Sequence, residues 1–457
     1  MLDPVFSLSP LDGRYASKVD ELRGYFSEAA LMRYRIVVEV EWFIYICNEL
    51  KLKGTKIIKD IQIESLRGLY DTFDLVAANR IKKIEEKTNH DVKAVEYYIK
   101  ETLKGSDLEN YFEFIHFALT SEDVNNTAYA LMIQGAVYNE LYPILKGVLN
   151  AISNHADKYK SVSMLSRTHG QPASPTTMGK EFINYIDRLE NQLISLQSIP
   201  VKAKFNGAVG NYNAHYVAYS KLNWPEANKK FIQSLGLEFA EYSTQIECHD
   251  YMAEIYDAFK RINNILMDFS RDIWMYISLG YFKQKTKKGE VGSSTMPHKV
   301  NPIDFENSEG NLGIANSLFE HLASKLPISR LQRDLSDSTV ERNIGVAFGY
   351  SMLAYRSLIR GIAKIKIDKT TIKDDLKDKW ELLAEPIQTV MRKHGIKDAY
   401  EKMKELTRGK DITKSDITKF LNKSGLPKYE IEKLKKLTPE KYIGMAATLV
   451  DSFSLDQ

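Results

Sequence analysis

Cysteine is nearly absent: Cys47 and Cys248 are the only two in 457 residues. Two thiols cannot build a disulfide framework and these show no metal-ligand spacing, so both are expected as buried thiols. Histidines and cysteines nowhere cluster as ligands would, so neither a metal nor an organic cofactor is expected. An excess of one charge is missing as well. Lysine and arginine number 63 against 60 aspartates and glutamates, a net charge of +3. Bulk charge therefore gives no reason to expect nucleic acid as a partner. No uninterrupted apolar run is long enough to span a bilayer. The N-terminal MLDPVFSLSPLDGRY places Asp3 early and lacks the basic-then-apolar layout of a secretory signal. These absences predict a soluble, cytoplasmic protein with no membrane and no nucleic acid as partner.

Strand-like alternation is scarce too, and internal repeats and low-complexity segments are absent. Helical periodicity fills the chain instead. Leu141, Ile144, Leu145, Val148, Leu149 and Ile152 fall at helical spacing, as do Ile255, Phe259, Ile262, Leu266, Phe269 and Ile273. A third segment, from about Ile344 to Ile365, is rich in Gly, Ala and Ser, which lets neighbouring helices approach closely. The predicted fold class is all-α, with long central helices in a bundle. The length predicts two or three domains. Boundaries near Gly105-Ser106-Asp107 and across Lys364 to Asp375 divide the chain into an N-terminal helical domain (1–111), a central long-helix domain (112–364) and a C-terminal helical domain (365–457). The run KIDKTTIKDDLKDK at the second boundary reads as a solvated helix face.

Polar clusters interrupt the apolar pattern. The strongest is GSSTMPHKVNP, Gly292 to Pro302, with Gly289 just upstream. Pro297 and Pro302 stop a helix from running through it, so it is a shaped loop. Its successive backbone N–H groups, with Lys299, can hold an anion or a developing oxyanion. A solvated turn is the plainer reading of such a run, but apolar helical patterns on both sides argue for function. Ser166-Arg167-Thr168-His169-Gly170-Gln171-Pro172 puts a histidine in a turn, where it is either structural or an acid–base group. Thr88-Asn89-His90-Asp91 and Thr120-Ser121-Glu122-Asp123 each read as a helix N-cap with acids suited to the first turn. Arg330, Arg333, Asp334, Asp337, Ser338, Thr339 and Arg342 combine three arginines with hydroxyls. That set suits a phosphate or carboxylate, or else a surface ion-pair network.

Taken together these stretches resemble the fumarase/aspartase superfamily, whose members cleave C–N or C–O bonds and release fumarate. The loop reads MPHK where fumarases typically carry MPGK and argininosuccinate lyases MPQK. With SRTHGQPASP, KTNHDVKAVEYY, FALTSEDVNN, STQIECHDY and QRDLSDSTVERNIG, the chain is similar to the bacterial-type adenylosuccinate lyase family. The similarity runs from Leu11-Asp12-Gly13-Arg14-Tyr15 to Tyr442-Ile443-Gly444. Cys248 stands where that family has proline.

The resemblance implies three all-helical domains and a homotetramer in which several subunits build each active site. It implies small-molecule nucleotide substrates: adenylosuccinate, giving AMP, and succinylaminoimidazole carboxamide ribotide (SAICAR), giving AICAR, each with release of fumarate. It makes His169 the general acid and Ser293 the general base. Arg14, Tyr15, Arg333, Ser338 and Arg342 would hold the nucleotide phosphate. Thr120, Ser121, Lys299 and Asn301 would hold the succinyl carboxylates, with His90 close by between Asn89 and Asp91. Gln245 and Asn307 would complete the substrate pocket. Two readings from other classes compete: a helical protein that kept the fold and lost activity, and a nucleic-acid binder using the lysine-rich C-terminal region. The near-neutral charge and the presence of Ser293, His169 and Lys299 together speak against both.

Overall fold

The computed structural model describes residues 4–286, 289 and 295–453. Ser293 therefore lies outside the described residues, as do Gly292 and Ser294. In chain order the principal helices are α1 (Glu28–Asn48), α2 (Leu75–Thr88), α3 (Asp91–Thr102), α4 (Ser121–Gly135), α5 (Tyr142–Tyr159), α6 (Met178–Gln197), α7 (Asp250–Ser278), α8 (Ile303–Lys325), α9 (Ser336–Glu341), α10 (Ile344–Lys364), α11 (Lys369–Leu376) and α12 (Ala384–Lys393). The three periodic segments read from the sequence are α5, α7 and α10. The strands pair as β1 (Ser163–Thr168) with β2 (Gln171–Thr177), β3 (Lys202–Ala203) with β4 (Glu238–Phe239), and β5 (Phe282–Gln284) with β6 (Ile365–Ile367). The protein is mostly helical, in several helical parts. No described helix is long and apolar enough to cross a membrane.

Local chemistry sets the helix ends. Ser27 accepts the Ala30 N–H at 3.1 Å to start α1, and Asp74 accepts that of Ala77 at 2.9 Å to start α2. Asn89 closes α2 in the left-handed conformation (φ 50°), which asparagine tolerates better than most residues. The next residue, His90, is the N-cap of α3, its Nδ1 accepting the Lys93 N–H at 3.1 Å. Asp123 receives the Thr120 N–H at 2.9 Å at the start of α4. Both caps expected at these motifs are present, although at the first the capping side chain is His90.

The chain packs as two compact units. One comprises Met1–Leu145, Gln192–Asn264 and Gly310–Tyr355; the other comprises Lys146–Asn191, Ile265–Glu309 and Arg356–Gln457. In the first, Trp42 of α1 meets Phe205 and Phe231 edge-on at 5.0 Å each. Phe348 of α10 meets Phe259 at 5.0 Å and Phe319 at 5.2 Å. The small residues of α10 do bring its neighbours close. A Cβ on Gly345 would fall 2.3 Å from Phe26 Cβ, and one on Gly349 would fall 2.8 Å from Leu11. In the second unit, Phe269 of α7 packs on Tyr185 at 5.2 Å and Phe182 at 5.9 Å. A separate apolar cluster there gathers Leu383, Ile387, Met391, Met403, Ile417 and Leu421.

Two expectations need correction. Cys47 is buried, but Cys248 is exposed. Its neighbours Glu247 and His249 both turn inward, which leaves the residue between them facing out. The β1–β2 hairpin was also not anticipated from the sequence. Its six- and seven-residue strands carry polar residues on both faces and two prolines, so no alternation marks them.

Candidate active site

The first unit holds an unbroken polar chain built around charges that the sequence leaves inside apolar helices. Arg35 sits on the buried face of α1. Its Nη2 lies 2.7 Å from Asp91 Oδ2 at the start of α3, and its Nε donates to Asn125 Oδ1 at 2.8 Å on α4. Arg342 approaches the same Asp91 oxygen at 3.5 Å. Asn125 then reaches Glu122, one turn back on α4, at 3.5 Å. Glu122 Oε2 is 3.1 Å from Arg333 Nη2, and Arg333 Nη1 donates to Gln245 Oε1 at 3.4 Å. Gln245 is held in turn by its Nε2 on the Ala208 carbonyl at 3.1 Å. Four residues assigned to the site from the sequence (Asp91, Gln245, Arg333 and Arg342) are thus joined through three that were not so assigned: Arg35, Asn125 and Glu122, the last read from the sequence only as part of a helix cap.

Near Arg333 lies a buried ionisable group of which the sequence reading singled out only Asp337. His249, fully buried, holds a left-handed backbone (φ 62°). Its Nε2 comes within 3.2 Å of Glu341 Oε1, close enough for charge attraction but outside hydrogen-bond geometry. Asp337 Oδ2 is 3.9 Å from Arg333 Nε. Burial alone would depress the His249 imidazole; the carboxylates of Glu341, Glu247 and Glu122 overcome it and raise it to about 9. Burial, reinforced by Glu341, pushes the Glu122 carboxyl up to about 8. Burial and Glu341 raise Asp337 as well. For Asp91 the burial penalty is outweighed by Arg35, and its carboxyl is held below the usual range. No local sequence signal marks this group: Glu122, His249 and Glu341 lie far apart in the chain, and His249 precedes α7 outside any helical pattern.

Other predicted residues of this unit stand outside the chain of contacts. The Arg14 guanidinium lies 5.9 Å from the Tyr15 ring centre and is exposed. Ser338 follows Asp337 on α9, its N–H donating to that carboxylate at 2.6 Å. A cavity of about 260 Å³ is lined by Leu11, Arg23, Phe26, Arg342 and Gly345 among others.

The second unit carries His169. The β1–β2 register pairs Thr168 with Gln171, which leaves His169 and Gly170 as a two-residue turn. Both have positive φ, 52° and 74°, as a primed hairpin turn requires. The histidine is thereby set at the exposed tip of a short hairpin, in the turn that the sequence predicted. Lys299 and Asn301 flank Val300, whose carbonyl accepts the Gln284 side-chain amide at 3.0 Å. Asn307, near the start of α8, receives the Ser357 hydroxyl at 2.7 Å. Ser293 belongs to the residues not described. Among the described residues, no group of three or more His, Cys, Asp or Glu is arranged to hold a metal ion.

Comparison with known proteins shows the family to which the chain belongs. A lyase family model matches residues 13–315, and an adenylosuccinate lyase C-terminal model matches residues 329–443. The chain is 50% identical to an adenylosuccinate lyase of Buchnera aphidicola subsp. Schizaphis graminum, over 98% of this chain and 99% of that one. It is 49% identical to that of Escherichia coli (strain K12), over 98% and 99%, and 51% identical to that of Legionella pneumophila (strain Corby), over 98% of each. Among solved structures, a 3-carboxy-cis,cis-muconate lactonizing enzyme from Pseudomonas putida superposes with a TM-score of 0.73 at 19% identity, covering 94% of this chain and 95% of that one. A fumarate lyase from Mesorhizobium sp. BNC1 gives 0.73 at 16% identity, covering 94% and 96%. These two speak for the fold alone.

Proposed function

Because the chain belongs to the adenylosuccinate lyase family, we propose that it cleaves the C–N bond of adenylosuccinate, releasing fumarate and leaving AMP. It is a lyase that acts on a nucleotide. The observation that carries the reading is identity at half of all positions along 98% of the chain. The reading extends to SAICAR as a second substrate, to a homotetramer whose sites draw on several subunits, to a cytoplasmic location, and to three domains divided near residues 111 and 364.

The chemistry accounts for the residue types. A proton leaves the carbon beside a succinyl carboxylate, and that carboxylate already carries a charge. The carbanion therefore spreads onto it as an aci-carboxylate, and donors aimed there supply most of the acceleration. Lys299 and Asn301, held on either side of Val300, are assigned that task together with Thr120 and Ser121. Each such donor is typically worth about 3–4 kcal/mol. Ser293 is assigned as the base that takes the proton, its alkoxide stabilised by Lys299. The C–N bond then breaks, its electron pair goes to the purine nitrogen, and His169 protonates that nitrogen. The exposed hairpin tip supports His169 in this role, because the donor must reach the leaving nitrogen. His90, with Asn89 and Asp91, is assigned beside the succinyl group, and Gln245 and Asn307 beside the rest of the substrate.

Arg14, Tyr15, Arg333, Ser338 and Arg342 are assigned to the phosphate. The pairing of Arg333 with Glu122 and of Arg342 with Asp91 supports this, since both guanidinium groups are held in fixed orientations that a phosphate can meet in a bidentate way. Succinyladenosine, which lacks the phosphate, tests the assignment directly. Turnover should fall mainly through KM, and AMP should compete with adenylosuccinate. Equal efficiency with and without the phosphate would remove the nucleotide from the reading and leave a lyase of another specificity.

A further inference from the structure

The hairpin that bears His169 is tied down in an uneven way. Its inner strand is fixed by packing: Leu165 of β1 is buried against Leu376 of α11 and Leu382. Its base is held where the Ser163 hydroxyl donates to the Glu440 carbonyl at 2.8 Å. Nearer the tip the restraint is polar. Arg167, two residues before His169, places Nη2 at 2.6 Å from Asp375 Oδ2 on α11. The same Asp375 oxygen accepts the hydroxyl of Tyr281, a residue only 1% exposed. On the other strand the Ser174 hydroxyl donates to Glu385 of α12.

Tyr281 leads directly into β5. That strand is pinned to β6 in the register Phe282 to Ile367 and Gln284 to Ile365. Its last residue, Gln284, donates to the Val300 carbonyl between Lys299 and Asn301. One carboxylate oxygen therefore receives a guanidinium from the arm that carries the proposed proton donor. It also receives a phenol from the strand that holds the proposed carboxylate-binding segment.

We propose that Asp375 is a positioning residue that fixes the spacing of these two arms. It acts through Arg167 on the His169 turn, and through Tyr281 and Gln284 on the Lys299–Asn301 segment. The assignment rests on the reading of His169 as the proton donor. The physical case is geometric. His169 occupies a two-residue turn at positive φ, whose direction follows that of its flanking strands. A shift of about 1 Å in such a group can cost on the order of a hundredfold in rate. A salt bridge and a phenol on one oxygen confine both arms together, while the apolar contacts of Leu165 keep the hairpin docked without setting its tip. Asp375 touches no substrate-binding residue itself, so its loss should leave binding largely unchanged.

The test compares Asp375→Asn, Tyr281→Phe and the double variant with the parent enzyme on adenylosuccinate. The Tyr281→Phe change deletes one hydroxyl and carries the test should Asp375→Asn fail to fold. Each single variant should lower kcat by about tenfold to a hundredfold while KM stays within about threefold. Asp375→Glu should recover part of the loss. The double variant should be little worse than either single, because both act through one oxygen. Amide exchange should quicken in residues 163–177 and 295–302 in the same variants. A parental kcat, or a KM that rises as far as kcat falls, would overturn the inference. His169→Gln separates the two levels. If that variant keeps full turnover, the donor assignment and the inference fall together; if it is inactive while Asp375→Asn is normal, only the inference falls.

Discussion

Asp91 and Arg342 stand 251 residues apart in the chain and meet at 3.5 Å, with Arg35 on the same carboxylate oxygen at 2.7 Å. One acid thus fixes a buried arginine of α1 and an exposed one assigned to the substrate phosphate.

Asp91→Asn removes that charge and leaves Arg35 with Asn125 as its remaining close partner. Hydrogen bonds to charged groups are worth about 1.5–3 kcal/mol, so the variant should lose stability of that order. It should also bind AMP less tightly. Urea unfolding and AMP titration together check the pair; parental values in both would mean that the contact carries nothing.

Glu122 and His249 predict a stability that falls as pH rises. Both groups bind protons more tightly folded than unfolded: Glu122 is raised from 4.5 to about 8 and His249 from 6.5 to about 9. The stabilisation from Glu122 is therefore complete below its unfolded value and lost on approach to pH 8. That from His249 is complete below 6.5 and lost through pH 9. Thermal midpoints should decline steadily across this window, and Glu122→Gln should flatten its lower half. A midpoint that climbs with pH would contradict the cluster.

Lys204 and Asp123 form an ion pair at 2.8 Å, both fully buried. Asp123 also accepts the Asn206 N–H at 3.1 Å, and Lys204 donates to the Gly207 carbonyl at 2.8 Å. The pair therefore shapes the turn leading to Ala208, on which Gln245 rests. Lys204→Met should destabilise by about 3–5 kcal/mol, because it strands a buried carboxylate. Adding Asp123→Asn to it should recover part of the loss. A double-mutant cycle with no coupling would show the pair to be incidental.

Ser293→Ala should nearly abolish turnover while leaving substrate binding measurable, since it removes a chemical role and little contact area. Arg333→Ala should instead act mainly on KM for the phosphorylated substrate. A Ser293→Ala enzyme with near-normal kcat would mean that another group takes the proton.

Much of this was legible in the sequence, for identifiable reasons. The long helices announce themselves because an apolar residue every three or four positions can bury only one way. The polar motifs stand out because they break that rhythm, and His169 falls in the turn its Thr-His-Gly setting predicted. The β1–β2 hairpin stayed hidden because neither of its faces is consistently apolar. Arg35, Glu122, His249 and Glu341 stayed hidden for a different reason: their partners lie tens to hundreds of residues away. Nothing local distinguishes a buried charge that finds a partner from an exposed one. Asp375 sits in a run that reads as solvated helix face. That reading holds for only part of the run: Lys366 and Ile367 belong to β6, Ile372 and Leu376 of α11 are buried, and Asp375 holds Arg167.

The most direct measurement is an ultraviolet time course of the purified protein with adenylosuccinate, the products separated by chromatography. AMP and fumarate should appear in equal amounts, and the Ser293→Ala and His169→Gln variants should form neither. The absence of AMP, with fumarate released instead from argininosuccinate or malate, would contradict the substrate assigned to this chain.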